Sequence, residues 1–289
     1  MAYNVGKDLM NISLVIPVYN EEEQLAACLD AINKQTFFPY EVIVVDNNSV
    51  DNTCHIAEKY DFVTLIKEKR QGVVHARNKG FDRATGDVIA RIDADTILPT
   101  DWLSNVKDIF FDPKIDAVSG VAHYYGVAAG DAINAVDLFF RRRLSRTLKD
   151  TMYLWGANMA IRTGAYKSLK SELCSQGNMH EDFDLAIHLM DRGCNVVFDE
   201  RLHASVSSRR IDSNFISFMK YVLISPSTFS QHGKNVKLQM YPVVLFCALM
   251  YLPGSLLHKG YDEDTGKFNL MRIFSQGAAA RIDPTANVA

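Results

Sequence analysis

What this 289-residue chain lacks narrows its chemistry first. No G-x-G-x-x-G follows the first apolar strand pattern, and no G-x-x-x-x-G-K-[ST] occurs anywhere, so neither type of glycine loop is there to cradle a diphosphate. The five cysteines, Cys28, Cys54, Cys174, Cys194 and Cys247, are odd in number, scattered, and form no C-x-x-C pair. That pattern argues against a disulfide framework or a zinc site, and for a reducing compartment. No long apolar stretch follows a basic start, so no secretory signal is visible, and a cytoplasmic location is expected. An excess of positive charge is lacking too: 31 Lys and Arg against 34 Asp and Glu leave a net −3, which gives no support to a nucleic-acid partner. The apolar run 243–252 is only ten residues long, against the roughly twenty that span a bilayer.

What is present reads as an α/β protein. The apolar content of 48% and charged content of 22% are those of a globular chain, long enough for one large domain with an extension. Residues 12–18 (ISLVIPV) form a β-branched run suited to a strand buried on both faces, with Pro17 near its end. Asn20 then reads as a helix N-cap before Glu21, Glu22 and Glu23, the helix continuing through Leu25, Cys28, Leu29 and Ile32. A second strand (41–45) ends in Asp46, and Asp51-Asn52-Thr53 opens a second helix. A third strand covers 62–66, and a third helix covers 72–84 with Gly86 as its stop. The fourth strand, Asp87-Val88-Ile89-Ala90-Arg91-Ile92, ends in Asp93-Ala94-Asp95.

Four strand–helix alternations imply a parallel sheet with right-handed crossovers, and ligands of such sheets bind beyond the carboxyl ends of the strands. The Pro17-Val18-Tyr19 turn, Asp46, Asp93 and Asp95 all lie at those ends. Residues two apart in an extended chain point the same way, so Asp93 and Asp95 can converge. Converging carboxylates repel unless a cation lies between them, and hard oxygen ligands suit Mg²⁺ or Mn²⁺, which in turn suit a diphosphate.

The second half is patterned as a helix from Asp101-Trp102-Leu103, a strand over 116–122 and a long helix over 131–149. That helix carries Arg141, Arg142, Arg143 and Arg146, a run that reads as a solvated face, with anionic head groups as the other surface it suits. His180-Glu181-Asp182-Phe183-Asp184 heads a further helix; His180 itself reads as a solvated loop residue, with contact to a donor phosphate or metal as the other role it suits. A strand over 195–198 precedes Ser207-Ser208-Arg209-Arg210. Beyond residue 213, Phe215, Phe218, Met219, Val222 and Leu223 mark an amphipathic helix. The run 243–252, stopped by Pro253-Gly254, fits a core or hairpin helix or one lying in a membrane interface. The tail from residue 277 is expected to be disordered.

Four segments in order, Val15-Ile16-Pro17-Val18-Tyr19-Asn20-Glu21, Val44-Val45-Asp46-Asn47-Asn48-Ser49-Val50-Asp51-Asn52-Thr53, Ala76-Arg77-Asn78-Lys79-Gly80 and Asp93-Ala94-Asp95, resemble the successive motifs of family 2 glycosyltransferases with the GT-A fold. The resemblance covers roughly residues 12–210. It implies an inverting, metal-dependent transfer of a sugar from a nucleoside diphosphate sugar, UDP favoured, to an acceptor hydroxyl. The acceptor class implied is a saccharide or lipid-linked saccharide of cell-surface polysaccharide or glycolipid synthesis, met at the cytoplasmic face of a membrane.

By the same resemblance, Pro17, Tyr19, Glu21 and Asp46 surround base and ribose, Arg77 lies near the nucleotide, Asp93 near ribose or metal, and Asp95 on the Mn²⁺ or Mg²⁺. Trp155, Gly156, Ala157, Asn158 and Glu181 line the sugar and acceptor pocket. An inverting transfer needs one base, and Asp182, kept ionised by the helix dipole, is assigned that role. Arg209 or Arg210 folds over the diphosphate. The domain expected over 1–212 divides into a nucleotide half (about 1–97) and an acceptor half (about 98–212), followed by a helical extension over 213–276. A Gln-x-x-Arg-Trp motif is lacking, which argues against a processive polymerase. The alternatives are a sugar-1-phosphate nucleotidylyltransferase and a non-catalytic nucleotide-sugar-binding protein.

Overall fold

The structure, a computed structural model, describes residues 10–128, 130–147, 154–175, 179–262, 265 and 267–275. The tail from residue 277, expected to be disordered, lies outside the described residues. The first half runs β1 (Ile12–Val18), α1 (Leu25–Asn33), β2 (Glu41–Asp46), α2 (Thr53–Ala57), β3 (Val63–Lys67), α3 (Val73–Arg83), β4 (Val88–Arg91). The second half runs β5 (Thr96–Ile97), α4 (Trp102–Ile109), β6 (Ala117–Tyr125), α5 (Gly130–Thr147), β7 (Met159–Arg162), α6 (Thr163–Leu169), α7 (Glu181–Asp191) and β8 (Val196–Ser207). A 3₁₀ turn (Arg209–Asp212) leads into the extension: α8 (Phe215–Gln231), α9 (Lys237–Lys259), the short hairpin β9 (Tyr261–Asp262) and β10 (Lys267–Phe268), and α10 (Arg272–Ser275).

Eight strands form one sheet in the order β3-β2-β1-β4-β7-β6-β8-β5. The expected parallel half is present, with β1 parallel to both β2 and β4, and β2 parallel to β3. The other half is mixed: β7 is antiparallel to β4 and β6, and β5 is antiparallel to β8. Strand β1 shows why the sheet is buried on both faces. Its period-2 alternation sends Ile12, Leu14, Ile16 and Val18 into one apolar layer with α1 and α4, and Val15 into the other with α3, α6 and α7. Each fully buried Leu or Ile there contributes about 1.5–3 kcal/mol. Gly80 lets α3 come close to the sheet; a Cβ at that position would lie 2.3 Å from Val15 Cγ1.

Three local expectations are corrected. Asn20 is not a helix N-cap: it has φ 52°, its Oδ1 accepts from the Val50 N–H, and α1 begins only at Leu25. Gly86 does not stop α3, which ends at Arg83 before the extended Ala84. Instead Gly86 packs against β1, where a Cβ would come within 2.7 Å of the Asn11 carbonyl oxygen. Finally, Pro253-Gly254 does not end the apolar helix. Helix α9 runs for 23 residues through Pro242 and Pro253. Packing overrides the prolines: Gly254 is where α9 meets Ile211 of the 3₁₀ turn, and α9 also lies against α8 and α5.

Candidate active site

The parallel strands end at a cavity of about 620 Å³. Its first wall is two loops that bind each other. The Asn20 N–H donates to Ser49 Oγ (3.0 Å), the Glu21 N–H to Thr53 Oγ1 (2.7 Å), and the Asn52 N–H to Glu22 Oε2 (3.0 Å). The two sequence motifs that looked separate therefore form one hydrogen-bonded rim, and Pro17, Tyr19, Glu21 and Asn47 line the cavity from it. Asn47, which follows Asp46 in the second motif, has a structural task here. Its Nδ2 donates to the carbonyls of Glu68 and Arg70, and its Oδ1 accepts from the Gly72 N–H, so it shapes the loop leading into α3.

Beyond β4 the backbone turns, and Asp93 and Asp95 both enter the cavity. Each already holds a guanidinium: Arg91 Nη2 lies 3.2 Å from Asp93 Oδ1, and Arg209 Nε donates to Asp95 Oδ2 at 3.2 Å. Arg209 also bridges to Glu21. Six carboxylates (Glu21, Glu23, Asp93, Asp95, Glu181, Asp182) contribute to the described wall against two guanidiniums, Arg91 and Arg209. The surplus negative charge is felt nearby. Burial, followed by the charges of Asp95, Asp93 and Glu21, pushes the Cys28 thiol far up. Hard oxygen donors with excess negative charge fit a divalent cation, and Asp95 with Asp93 are the residues that would hold Mn²⁺ or Mg²⁺.

The opposite strands and α7 supply the third wall. Arg91, fully buried in mid-sheet, donates from Nη1 to Glu181 Oε1 at 2.6 Å. Gly156 makes room for it: a Cβ there would sit 2.4 Å from Arg91 Nη1. Asp182 is oriented by two backbone donors, the Gly156 N–H to Oδ2 (2.8 Å) and the Phe183 N–H to Oδ1 (2.9 Å). The two neighbouring acids are driven apart. Burial alone would raise Glu181, but Arg91 and Arg77 hold it below the usual carboxylate range. Burial first, and then the Glu181 charge, raise Asp182 to about 7. The expectation that the helix dipole keeps Asp182 fully ionised is thus corrected, because desolvation outweighs it.

Of the residues singled out in the sequence, Pro17, Tyr19, Glu21, Asp93, Asp95, Trp155, Gly156, Ala157, Glu181, Asp182 and Arg209 meet at this cavity. Three do not line it. Asp46 is buried beneath the rim, its Oδ1 accepting from the Ser49 N–H to close the turn after β2. Arg77 is wholly buried behind Glu181, whose carbonyl it holds at 3.1 Å. Asn158 is consumed by the fold: its Oδ1 accepts from Trp102 Nε1 and its Nδ2 donates to the carbonyls of Val121 and Leu202. The Arg210 side chain lies outside the described residues.

Two further readings are revised. His180 is not a solvated loop residue; it is 6% exposed, lines the cavity and packs edge-on against Tyr221. Arg141 is not part of a solvated face: it pairs with Asp137 and lies 4.4 Å over the Trp155 ring. Arg91 was missed as a site residue, though an arginine inside the apolar run Val88–Arg91 was the signal available.

The sequence profile described as "Glycosyl transferase family 2" matches residues 13–170. Among curated proteins, the glycosyltransferase AglE of Haloferax volcanii is 29% identical over 179 residues, 58% of this chain and 59% of that protein. The undecaprenyl-phosphate 4-deoxy-4-formamido-L-arabinose transferase of Pectobacterium carotovorum is 30% identical over 177 residues, 58% of this chain and 48% of that protein. The aligned region thus spans about half to three fifths of those relatives. Among solved structures, the mannosyltransferase PcManGT of Pyrobaculum calidifontis, in complex with GDP-Man and Mn²⁺, superposes with TM-score 0.55 at 20% identity, covering 93% of this chain and 80% of that one. Residues 1–349 of S. aureus TarS, in complex with UDP-GlcNAc, give TM-score 0.54 at 16% identity, with 84% and 82% coverage. The mixed sheet flanked by helices is the GT-A fold, and the chain belongs to glycosyl transferase family 2.

Proposed function

We propose that the protein is an inverting, metal-dependent glycosyltransferase that moves one sugar from a nucleoside diphosphate sugar to an acceptor hydroxyl. The observation that carries this is that Asp182, buried and held by two N–H donors, opens on the same cavity as Asp93 and Asp95. Residues 1–97 form the nucleotide half in this reading, with Pro17, Tyr19 and Glu21 around base and ribose. Residues 98–212 form the acceptor half, and residues 213–276 the extension. UDP-sugars are the first donors to test and GDP-sugars the second; relatives in fold are complexed with each.

Asp182 takes the acceptor proton as the hydroxyl oxygen attacks the anomeric carbon; the bond to the diphosphate oxygen breaks and the nucleoside diphosphate leaves. A pKa near 7 suits that base, since about half of it is ionised at neutral pH and it is still basic enough to accept a proton. Arg91 and Glu181 fix the helix end that carries it. Arg209, freed from Asp95, is positioned to pair with the diphosphate. A bound Mn²⁺ or Mg²⁺ on Asp95 supplies charge neutralisation to the leaving group.

The acceptor proposed is a lipid-linked or free saccharide in cell-surface polysaccharide or glycolipid synthesis, reached in the cytoplasm at a membrane face. Helix α9 supports that placement. Leu245, Leu249, Leu252 and Leu256 are exposed along one side of it, while Met240, Val244 and Ser255 are buried on the other. The segment Gln239–Lys259 has a mean hydropathy of 1.7 and is only 22% buried. A helix packed along the domain with an apolar outer stripe suits lying in the interface. An undecaprenyl-phosphate transferase among the relatives points the same way.

The test is incubation with UDP- and GDP-sugars, Mn²⁺ and saccharide acceptors, watching for free nucleoside diphosphate. Asp182→Asn is expected to slow release by about 10²–10⁴-fold. Undiminished release in that variant would refute the base, and pyrophosphate as product would favour nucleotidyl transfer.

A further inference from the structure

Behind the catalytic cavity, four side chains from three separate stretches converge. Cys174 follows α6, Asp184 and His188 lie one turn apart on α7, and His232 caps the end of α8. One ligand atom from each lies within 4.8 Å of all the others. None of the four lines the catalytic cavity.

The polar atoms lie close together without completing hydrogen bonds to one another. Asp184 is 1% exposed, and its Oδ2 accepts from the Cys174 N–H at 3.1 Å. Its Oδ1 lies 3.4 Å from His188 Nε2 and 2.9 Å from His232 Nε2. Among the described residues, Asp184 Oδ1, His188 Nε2 and His232 Nε2 are nonetheless buried without a hydrogen-bond partner. The rings of His188 and His232 stand at 89° to each other with centroids 5.0 Å apart, so the two imidazoles meet edge to face at this point. A tetrahedral zinc ion, with bonds of about 2.0–2.3 Å, holds its donors roughly 3.3–3.8 Å apart. One sulfur, two imidazole nitrogens and one carboxylate oxygen form a set that zinc takes in preference to Mg²⁺.

We infer that Cys174, Asp184, His188 and His232 form a structural zinc site that ties the end of α8 to α7 and to the segment after α6. Four protein ligands close the coordination sphere, so the ion binds no substrate there. The Cys174 N–H that holds Asp184 Oδ2 aims the other carboxylate oxygen at the ion, the usual role of an outer hydrogen bond. The staple acts on the acceptor side of the active site. Helix α7 begins with Glu181 and Asp182, while α8 carries Thr228, which accepts from the His180 N–H, and Tyr221, which packs on the His180 ring. The absence of a C-x-x-C pair excludes only ligand sets that are close in sequence, and here the ligands span residues 174–232.

The experiment uses the full chain, loaded with zinc and desalted, and metal is counted by elemental analysis in wild type, Asp95→Asn, Cys174→Ser and His232→Gln. About one zinc per chain is expected in wild type. Asp95→Asn should keep it, which separates this ion from the one proposed for catalysis, while the other two variants should lose it. Cobalt loading of wild type needs no variant to fold: it should give intense tetrahedral d–d bands with a thiolate-to-cobalt charge-transfer band. Chelation should lower the melting temperature of wild type more than that of His232→Gln. A wild type that retains no zinc, zinc retained undiminished by Cys174→Ser and His232→Gln, or an octahedral cobalt spectrum would each overturn the assignment.

Discussion

Arg91 Nη1 and Glu181 Oε1 meet at 2.6 Å with side chains only 3% and 9% exposed, joining the end of β4 to the first turn of α7. The pair spans 90 residues of sequence and is one of the links, with Arg209 to Glu21 and Asp95, between the two halves of the cavity wall. Removing one member leaves the other charged in a dry site, a loss of about 3–5 kcal/mol. Arg91→Met is therefore expected to lower the unfolding free energy by that amount in urea titrations near pH 7.5. A loss below ~1 kcal/mol would mean that water reaches Glu181 more freely than its burial implies.

That pair also marks where sequence reading stopped. The strands of the first half were legible because runs such as Leu14, Val15 and Ile16 are apolar on both faces, and Asp93 and Asp95 were legible because they end one. The partners of Arg91 were not, since an ion pair across 90 residues leaves no local pattern. The resemblance placed Asp46 and Arg77 beside the nucleotide, whereas in this fold Asp46 closes the turn after β2 and Arg77 holds the Glu181 carbonyl from behind, contacts that no local pattern reveals. Helix α9 was read too short because Pro253 breaks an isolated helix, whereas here packing against Ile211 and α8 carries the backbone past it.

Metal removal should act through donor binding. With six acids and two arginines in the described wall, a nucleoside diphosphate enters favourably only with a cation. UDP or GDP with Mn²⁺ should raise the melting temperature, with a stabilisation of about 2.7 kcal/mol at a hundred times Kd. The same nucleotide in EDTA, or with Asp95→Asn and Mn²⁺, should raise it far less. An equal shift with and without Mn²⁺ would remove Asp95 from its role.

The leucine stripe of α9 predicts a separable membrane contact. Replacing Leu245, Leu249, Leu252 and Leu256 by Gln removes apolar surface that is already exposed, so folding stability should change by less than about 1 kcal/mol per site. Co-sedimentation with vesicles containing anionic phospholipid should fall by at least tenfold, while nucleoside diphosphate release with a water-soluble acceptor stays as in wild type. Equal sedimentation of both proteins would place the stripe against some other partner.

Asp182 makes opposite demands on activity and stability, and pH separates them. Its carboxyl is raised from 3.8 to about 7 by burial and by Glu181, so the folded chain favours the protonated form. This contribution to stability is full below pH 4 and is lost as pH rises through 7, whereas the ionised form, the base of the proposed transfer, predominates only above it. Wild type is accordingly expected to gain kcat/KM about tenfold per pH unit below 7 and to level off above. Asp182→Asn, which cannot ionise, should be nearly inactive but more stable than wild type at pH 8, by roughly 2–4 kcal/mol. That advantage should shrink towards zero by pH 4. Parallel urea titrations of both proteins across this range, set beside the activity profile, check both signs. A variant less stable than wild type at pH 8 would show that the Gly156 and Phe183 N–H bonds stabilise the ionised carboxylate more than burial opposes it.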